Sequence, residues 1–262
     1  SNPTMSLLDG GRMTRDGGAF FDFDLLSMDG IDRVEVVRGP TSALYGSDAF
    51  AGAVQFFTPR GMGPWSLQTS AEAGTRGRFR ERVTVQGGDK RFGFTGTLAG
   101  FQQVDGRTPH SDVFDKSAAW RFDFAPSDRV SFKLFGREIR SRQEVFANSA
   151  GPRFAPLDPD ATRKDHLSVL GAEADIWVEE WWEMKVRVSR FEARQESKDL
   201  PDALDPWGDA ESVSRFRRIA GELENTFFWG PQTITAGVSV EREDARVRSR
   251  YLWDRSDSDT AR

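Results

Sequence analysis

From residue 65 onward, apolar and polar positions alternate along the chain. Phe79, Val83 and Val85 share one side of a two-residue repeat, with Glu81 the exception, and Arg78, Arg80, Arg82, Thr84 and Gln86 take the other side. The repeat returns at Phe92, Phe94 and Leu98 against Thr95 and Thr97, and at Trp120, Phe122 and Phe124 against Arg121 and Asp123. Val130, Phe132 and Leu134 then oppose Ser131 and Lys133, and Leu170, Ala172, Ala174, Ile176 and Val178 oppose Glu173 and Asp175. Met184, Val186 and Val188 oppose Lys185, Arg187 and Ser189, and the same alternation runs through 218–227 and 233–241. A period of two marks strands with one apolar face. The pattern predicts about nine strands of roughly ten residues each, the length that crosses a bilayer when tilted.

The predicted connections alternate in length. Short turns fall at 87–90, 126–128, 179–181 and 230–231, while 103–115, 141–164 and 196–212 are long. Outer-membrane barrels have this asymmetry, and a soluble sandwich has no reason to gather its long loops at one end. The connection at 74–77 departs from the rule, being short where a long loop is expected. Trp181-Trp182 and Phe228-Trp229 flank short turns, with Trp177 nearby, as an interfacial aromatic belt requires.

Upstream of the strands, the Pro/Gly-rich stretch 58–64 reads as a linker between residues 1–60 and 61–262. Asp9-Gly10-Gly11 and Asp16-Gly17-Gly18 are turn signals. Residues 31–54 begin as a strand, with Ile31, Val34, Val36 and Val37 interrupted by Asp32, Arg33 and Glu35. The strand breaks at Gly39-Pro40, because proline cannot donate to a ladder and glycine permits a sharp turn. The small residues Ser42, Ala43, Gly46, Ser47, Ala49, Ala51, Gly52 and Ala53 then let the backbone pack closely against something else. On composition alone, a tight βα turn in a soluble domain accounts for this stretch equally well.

Composition narrows the choice. Only 37% of residues are hydrophobic and 29% are charged, and no apolar run approaches a transmembrane helix. A barrel stays open, since its polar lumen face dilutes the mean hydropathy of −0.56. The net charge of −5 leaves no basic footprint for nucleic acid. There is no cysteine, so disulfides, thiolate metal sites and thiol nucleophiles are absent. His110 and His166 sit in no metal-spaced cluster, and no nucleophile elbow or phosphate loop occurs. Asp254, Asp257 and Asp259 do not match a calcium loop. No catalytic residue, metal site or cofactor is expected.

The string Val34-Glu35-Val36-Val37-Arg38-Gly39-Pro40, followed by Ser42-Ala43-Leu44-Tyr45-Gly46-Ser47-Asp48-Ala49 and then Gly52, Val54 and Thr58, resembles the C-terminal half of the plug domain of TonB-dependent outer-membrane receptors. Residues 6–12, SLLDGGR, are similar to the strand end of the same domain. Two positions depart from the family pattern: Ala51 replaces a usual glycine, and Gln55-Phe56-Phe57 replaces a usual Ile-Asn-Ile.

The resemblance implies a mainly β fold. Residues 1–60 would be the C-terminal part of a plug, and 61–262 the N-terminal part of a transmembrane up-and-down β-barrel, about nine of about 22 strands. The chain would then be an excerpt of a longer receptor, ending at 254–260 in an outer loop. The family takes up scarce ligands such as ferric siderophores, haem or cobalamin, with no bond made or broken. Expected partners are outer-membrane lipid, a small-molecule ligand such as a metal chelate, and the TonB energy-transducing complex acting through an N-terminal segment. The expected location is the cell outer membrane of a Gram-negative organism. By the same resemblance, Gly39, Pro40, Tyr45, Gly46 and Gly52 form the plug motif turn, and Arg12, Met13, Thr14, Arg15 and Asp16 lie in a ligand-facing loop. Arg33, Glu35 and Arg38 are expected to dock the plug on the barrel wall, with Glu35 and Arg38 paired to barrel charges. A passive outer-membrane barrel and a soluble β-sandwich binding module, the latter using Trp65, Trp181 or Trp207, are the alternatives.

Overall fold

A computed structural model describes residues 4–13, 25–39, 52–104, 110–145, 160–200, 210–251 and 258–261. These form two sheets. The smaller contains β1 (Thr4–Leu8), β2 (Gly11–Arg12), β3 (Arg33–Arg38) and β4 (Gly52–Phe57), in the order β2-β1-β4-β3. β1 runs parallel to β4, and the other two pairings are antiparallel. Asp9 and Gly10 both have positive φ (48° and 89°), the geometry of a two-residue hairpin turn, and Leu8 stands opposite Gly11. Gly52 faces Arg38 with φ 142°, and a Cβ there would lie 2.2 Å from the Val37 carbonyl oxygen, so only glycine fits.

The larger sheet is a meander in which sequence neighbours are spatial neighbours. Its strands are β5 (Gly63–Gly74), β6 (Arg78–Gly88), β7 (Phe92–Gln103), β8 (Val113–Ser127), β9 (Val130–Glu144), β10 (Thr162–Glu179), β11 (Trp182–Asp199), β12 (Ala210–Trp229), β13 (Gln232–Tyr251) and β14 (Ser258–Ala261). All pairings are antiparallel. Two expectations need correction. Most strands exceed ten residues, and β12 and β13 have 20 each. The polar ends of the stretches read as loops, 113–115, 141–144, 162–164, 196–199 and 210–212, continue the ladder instead, because backbone pairing does not require apolar side chains. The segment expected as a terminal outer loop contains β14, which pairs with β13 through residues 246–249, so the sheet has ten strands.

Four tight turns, centred on 89–91, 128–129, 180–181 and 230–231, lie at the rim where β5 begins, and the long connections lie at the other. The short turn at 75–77, with Arg76 and Gly77 both at positive φ, sits at the long-loop rim. The two faces of the sheet differ. Leu67, Leu98, Leu170, Val188 and Val240 are exposed on one. The other is covered by the small sheet: Leu8, Met13, Leu26 and Phe56 pack with Phe135, Ile139, Val169, Phe191 and Phe216 in one buried cluster. Aromatics collect at the tight-turn rim, where Trp65 lies near Phe92 and Phe94, and Trp182 stacks on Phe227 with ring centroids 5.9 Å apart. Among the described residues no helix is long and apolar enough to cross a membrane, which says nothing of strands.

Candidate functional site

The site is the contact between the two sheets, and it is largely ionic around its apolar centre. The turn after β1 carries its key. Asp9 is 1% exposed, and its carboxylate accepts the Thr58 backbone N–H at 3.1 Å. Burial pushes its pKa up from the ordinary value, opposed by the Thr58 hydrogen bonds and by the charges of Lys133 and Arg121. Arg121 on β8 lies 3.8 Å from the Asp9 carboxylate, donates to the Thr58 carbonyl oxygen at 3.0 Å, and pairs with Asp123 at 2.8 Å. One guanidinium therefore ties together both ends of the small sheet, the turn after β1 and the exit from β4.

Gly10 presses on β11. A Cβ there would lie 2.5 Å from the guanidinium carbon of Arg187. That guanidinium is fixed by two carboxylates: Nε donates to Glu173 at 2.7 Å and Nη1 to Glu222 at 2.9 Å. Lys133 pairs with Glu173 from β9 at 2.5 Å. The next residues continue the seam. A Cβ on Gly11 would be 3.4 Å from that of Ser189. Arg12 pairs with Glu241 on β13 at 2.9 Å. Glu241 also stands 3.7 Å from the buried Arg218, whose Nε donates to Glu243 at 2.5 Å.

A second anchor lies before β3. Ser27 Oγ donates to Asp29 at 2.7 Å, and Asp29 faces Arg82 at 3.5 Å and Arg80 at 3.8 Å. Arg137 on β9 donates to the Ser27 carbonyl oxygen. Gly30, with φ 72°, lets the backbone come against Ala119 and Thr97 on the wall. A cavity of about 320 Å³ remains behind this anchor, bounded by Leu26, Asp29, Arg80, Phe101, Asp115 and Ile139. Ion pairs buried in such a contact fix orientation more than they add net stability, and water can replace them when the surfaces part. An interface of this kind is specific yet separable.

The expected site residues are placed as follows. β3 is exposed along its whole length. Arg33 pairs with its own neighbours, Glu35 at 2.8 Å and Asp32 at 3.5 Å, and its guanidinium lies 3.9 Å from the Phe57 ring centre. Among the described residues, no ion pair joins Glu35 or Arg38 to the larger sheet. Arg12 meets Glu241, whereas Met13 is wholly buried in the apolar cluster rather than facing an open path. Its correction is physical: an unbranched apolar side chain next to Leu8, Phe135 and Phe191 gains by burial. Gly39 has φ 101°, suited to the expected turn, and Gly52 faces Arg38. Thr14, Arg15, Asp16, Pro40, Tyr45 and Gly46 lie outside the described residues. Asp9, Gly10, Asp29, Arg121, Arg137 and Arg187 were not anticipated as the joining residues. The alternation put Arg121 and Arg187 on the polar face, but a strand pattern cannot say which distant loop they meet.

Comparison with known proteins agrees with this geometry. Residues 1–53 match the model of the TonB-dependent receptor plug domain. The chain is 27% identical over 244 residues to the vitamin B12 transporter BtuB of Vibrio vulnificus (strain CMCP6), covering 92% of this chain and 38% of that protein. The chain thus spans well under half the length of that curated relative. Among solved structures, the copper transporter OprC superposes with TM-score 0.77 at 18% identity, over 99% of this chain and 42% of that one. The pyoverdine outer membrane receptor FpvA from Pseudomonas aeruginosa PAO1, bound to pyoverdine, superposes with TM-score 0.77 at 13% identity, over 95% of this chain and 40% of that one. The fold is that of these receptor barrels with their plug.

Proposed function

We infer that a chain resembling TonB-dependent receptors along nearly its whole length works as part of one, in energised uptake of a scarce ligand across the outer membrane of a Gram-negative cell. Residues 1–60 are the C-terminal part of the plug and 61–262 the N-terminal part of the barrel in this reading. The relatives are transporters and receptors, and the chain is proposed to carry ligand without chemical change, as a transporter rather than an enzyme. The ligand class is that of ferric siderophores, haem or cobalamin. The TonB complex would supply the pull through an N-terminal segment of the plug.

The observation that carries this reading is the ionic seam joining the small sheet to the wall at Asp9, Gly10, Arg12 and Asp29. A plug must be held in one orientation and yet be released, and exchangeable ion pairs permit both. Arg33, Glu35 and Arg38, exposed along β3, are proposed to meet the remaining wall of the closed barrel. Arg12, with the turn that follows it, is proposed to border the ligand path on the long-loop side.

Expression of the protein with an export signal, followed by isolation of outer membranes, tests the proposal. A folded, heat-modifiable barrel that binds a ferric siderophore, haem or cobalamin is the expected result. A detergent-independent soluble monomer would overturn it.

A further inference from the structure

The apolar contact between the two sheets ends at one level of the wall. Ala193 on β11, Phe216 on β12 and Ala245 on β13 stand side by side at that level and pack with the buried cluster. By strand parity, the next two inward steps toward the long loops carry Gln195 and Ser197 on β11, Ser214 and Ser212 on β12, and Val247 and Ser249 on β13. None of the six is charged.

The outward face of the same strands at the same height is different. It holds Arg194, Glu196 and Lys198 on β11, Arg215, Val213 and Glu211 on β12, and Arg246, Arg248 and Arg250 on β13. Charge is also plentiful on the inward face nearer the tight turns, in the row Lys133, Glu173, Arg187 and Glu222. A neutral lining is therefore a property of this patch and not of polar positions in general.

Neutrality continues sideways. On β10, Arg163 and Asp165 occupy the two levels and cancel each other, with Nε 2.7 Å from the carboxylate. On β9 the two positions are Gln143 and Ser141. The charges that flank the patch are carboxylates: Asp115 on β8, opposite Ser141, and Asp199, one inward step above Ser197. The inward arginines Arg78 and Arg80 lie farther round the wall, on β6. There Arg78 donates to Gln103 at 2.7 Å, and Arg80 faces Asp29 at 3.8 Å. From β9 to β13 the patch is about 19 Å wide at ~4.8 Å per strand.

Hydroxyl and amide side chains both donate and accept hydrogen bonds. Gln195 and Ser197 make no side-chain hydrogen bond among the described residues, and the Ser212 and Ser249 hydroxyls meet only at 3.4 Å. A ligand surface built of amides has the same double character, so each of its groups finds a partner here. Carboxylate and catecholate oxygens only accept. An anionic ligand pressed on this patch would lose water without gaining a cation, and an unpaired buried charge is costly.

We propose that the inward patch of β9–β13 binds the uncharged, amide-rimmed face of the transported ligand and selects such ligands over anionic chelates. This rests on the reading of the chain as part of a plugged receptor barrel, and it narrows the ligand class of that reading.

The test measures equilibrium binding of four probes to the protein in isolated outer membranes. Cyanocobalamin and ferrichrome carry no net charge and are rich in amides, whereas ferric enterobactin and haem are anionic. One of the uncharged probes should bind about tenfold or more tighter than either anionic one, with little change on adding salt. Gln195→Ala/Ser197→Ala should weaken that binding severalfold without admitting an anionic probe. Ser197→Arg/Ser249→Arg should shift the preference toward an anionic probe, and salt should weaken the new binding. Heat-modifiability on gels reports whether each variant folds, and the alanine variant decides the matter if the arginines prevent folding. A wild-type preference for an anionic probe, or unchanged affinity for the uncharged one in the alanine variant, would overturn the proposal while leaving the receptor reading intact. A folded barrel that binds none of the four, or a protein that never reaches the membrane, would remove both.

Discussion

At the scale of single residues, the turn Asp9-Gly10 makes opposite demands on its two side-chain positions. Asp9 places a carboxylate where burial disfavours charge, so its folded pKa is raised above the unfolded value of 3.8. A carboxyl raised in the folded state gives its stabilising contribution below the unfolded pKa and loses it as pH rises through the folded one. Seating of the small sheet should therefore weaken as pH climbs from about 4 toward neutrality. Asp9→Asn retains an acceptor for the Thr58 N–H and cannot ionise. Urea unfolding followed across this range should show wild type losing stability relative to the Asn variant as pH rises, and parallel curves would exclude the effect. Gly10 must have no side chain at all. Gly10→Ala adds strain at φ 89° and drives a methyl into a guanidinium held by Glu173 and Glu222. It should cost about 1–3 kcal/mol. Because the clash is with Arg187, a double-mutant cycle with Arg187→Ala should be non-additive, whereas additivity would mean that backbone strain alone is at work.

At the scale of elements, the meander was legible because each strand carries its own two-residue repeat, and Arg80, Arg82, Arg121 and Arg187 fell on the polar face as observed. Strand ends were less legible. β11, β12 and β13 run into charged sequence where ladder hydrogen bonds, not apolar faces, keep the strand going. The joining residues were hidden for another reason: Asp29 and Arg82 are brought together by the seating of one sheet on another, which leaves no local pattern. Turn chemistry, by contrast, is local. Asp89 accepts N–H bonds from Arg91 at 2.7 Å and Phe92 at 2.9 Å, and these hold its pKa below the ordinary carboxylate value of 3.8. A depressed carboxyl contributes stability above its unfolded pKa and loses it as pH falls through the folded one. Asp89→Ala should thus speed hydrogen exchange at the Arg91 and Phe92 amides at neutral pH, while exchange in the next tight turn, at 128–129, stays unchanged. Equal protection in variant and wild type would mean that the β6–β7 ladder alone sets the turn.

At the scale of the whole molecule, the two sheets share one apolar core yet are joined at its margins by ion pairs, and the proposed transport depends on their parting. That dependence can be tested without altering any charge. The chain contains no cysteine, so an introduced pair reports on itself alone. Gly11 lies outside the positive-φ region, and a Cβ there would stand 3.4 Å from the Ser189 Cβ, near the separation a disulfide spans. Gly11→Cys/Ser189→Cys should therefore lock β2 of the small sheet to β11 of the wall under oxidising conditions. If release of the small sheet from this wall is part of uptake, the oxidised variant should bind ligand at the cell surface with wild-type affinity and fail to accumulate it. Reductant should restore accumulation, and each single variant should transport normally. Full uptake through the oxidised, cross-linked protein would show that ligand passes while the small sheet stays seated on β11, and would move the path to another part of the plug.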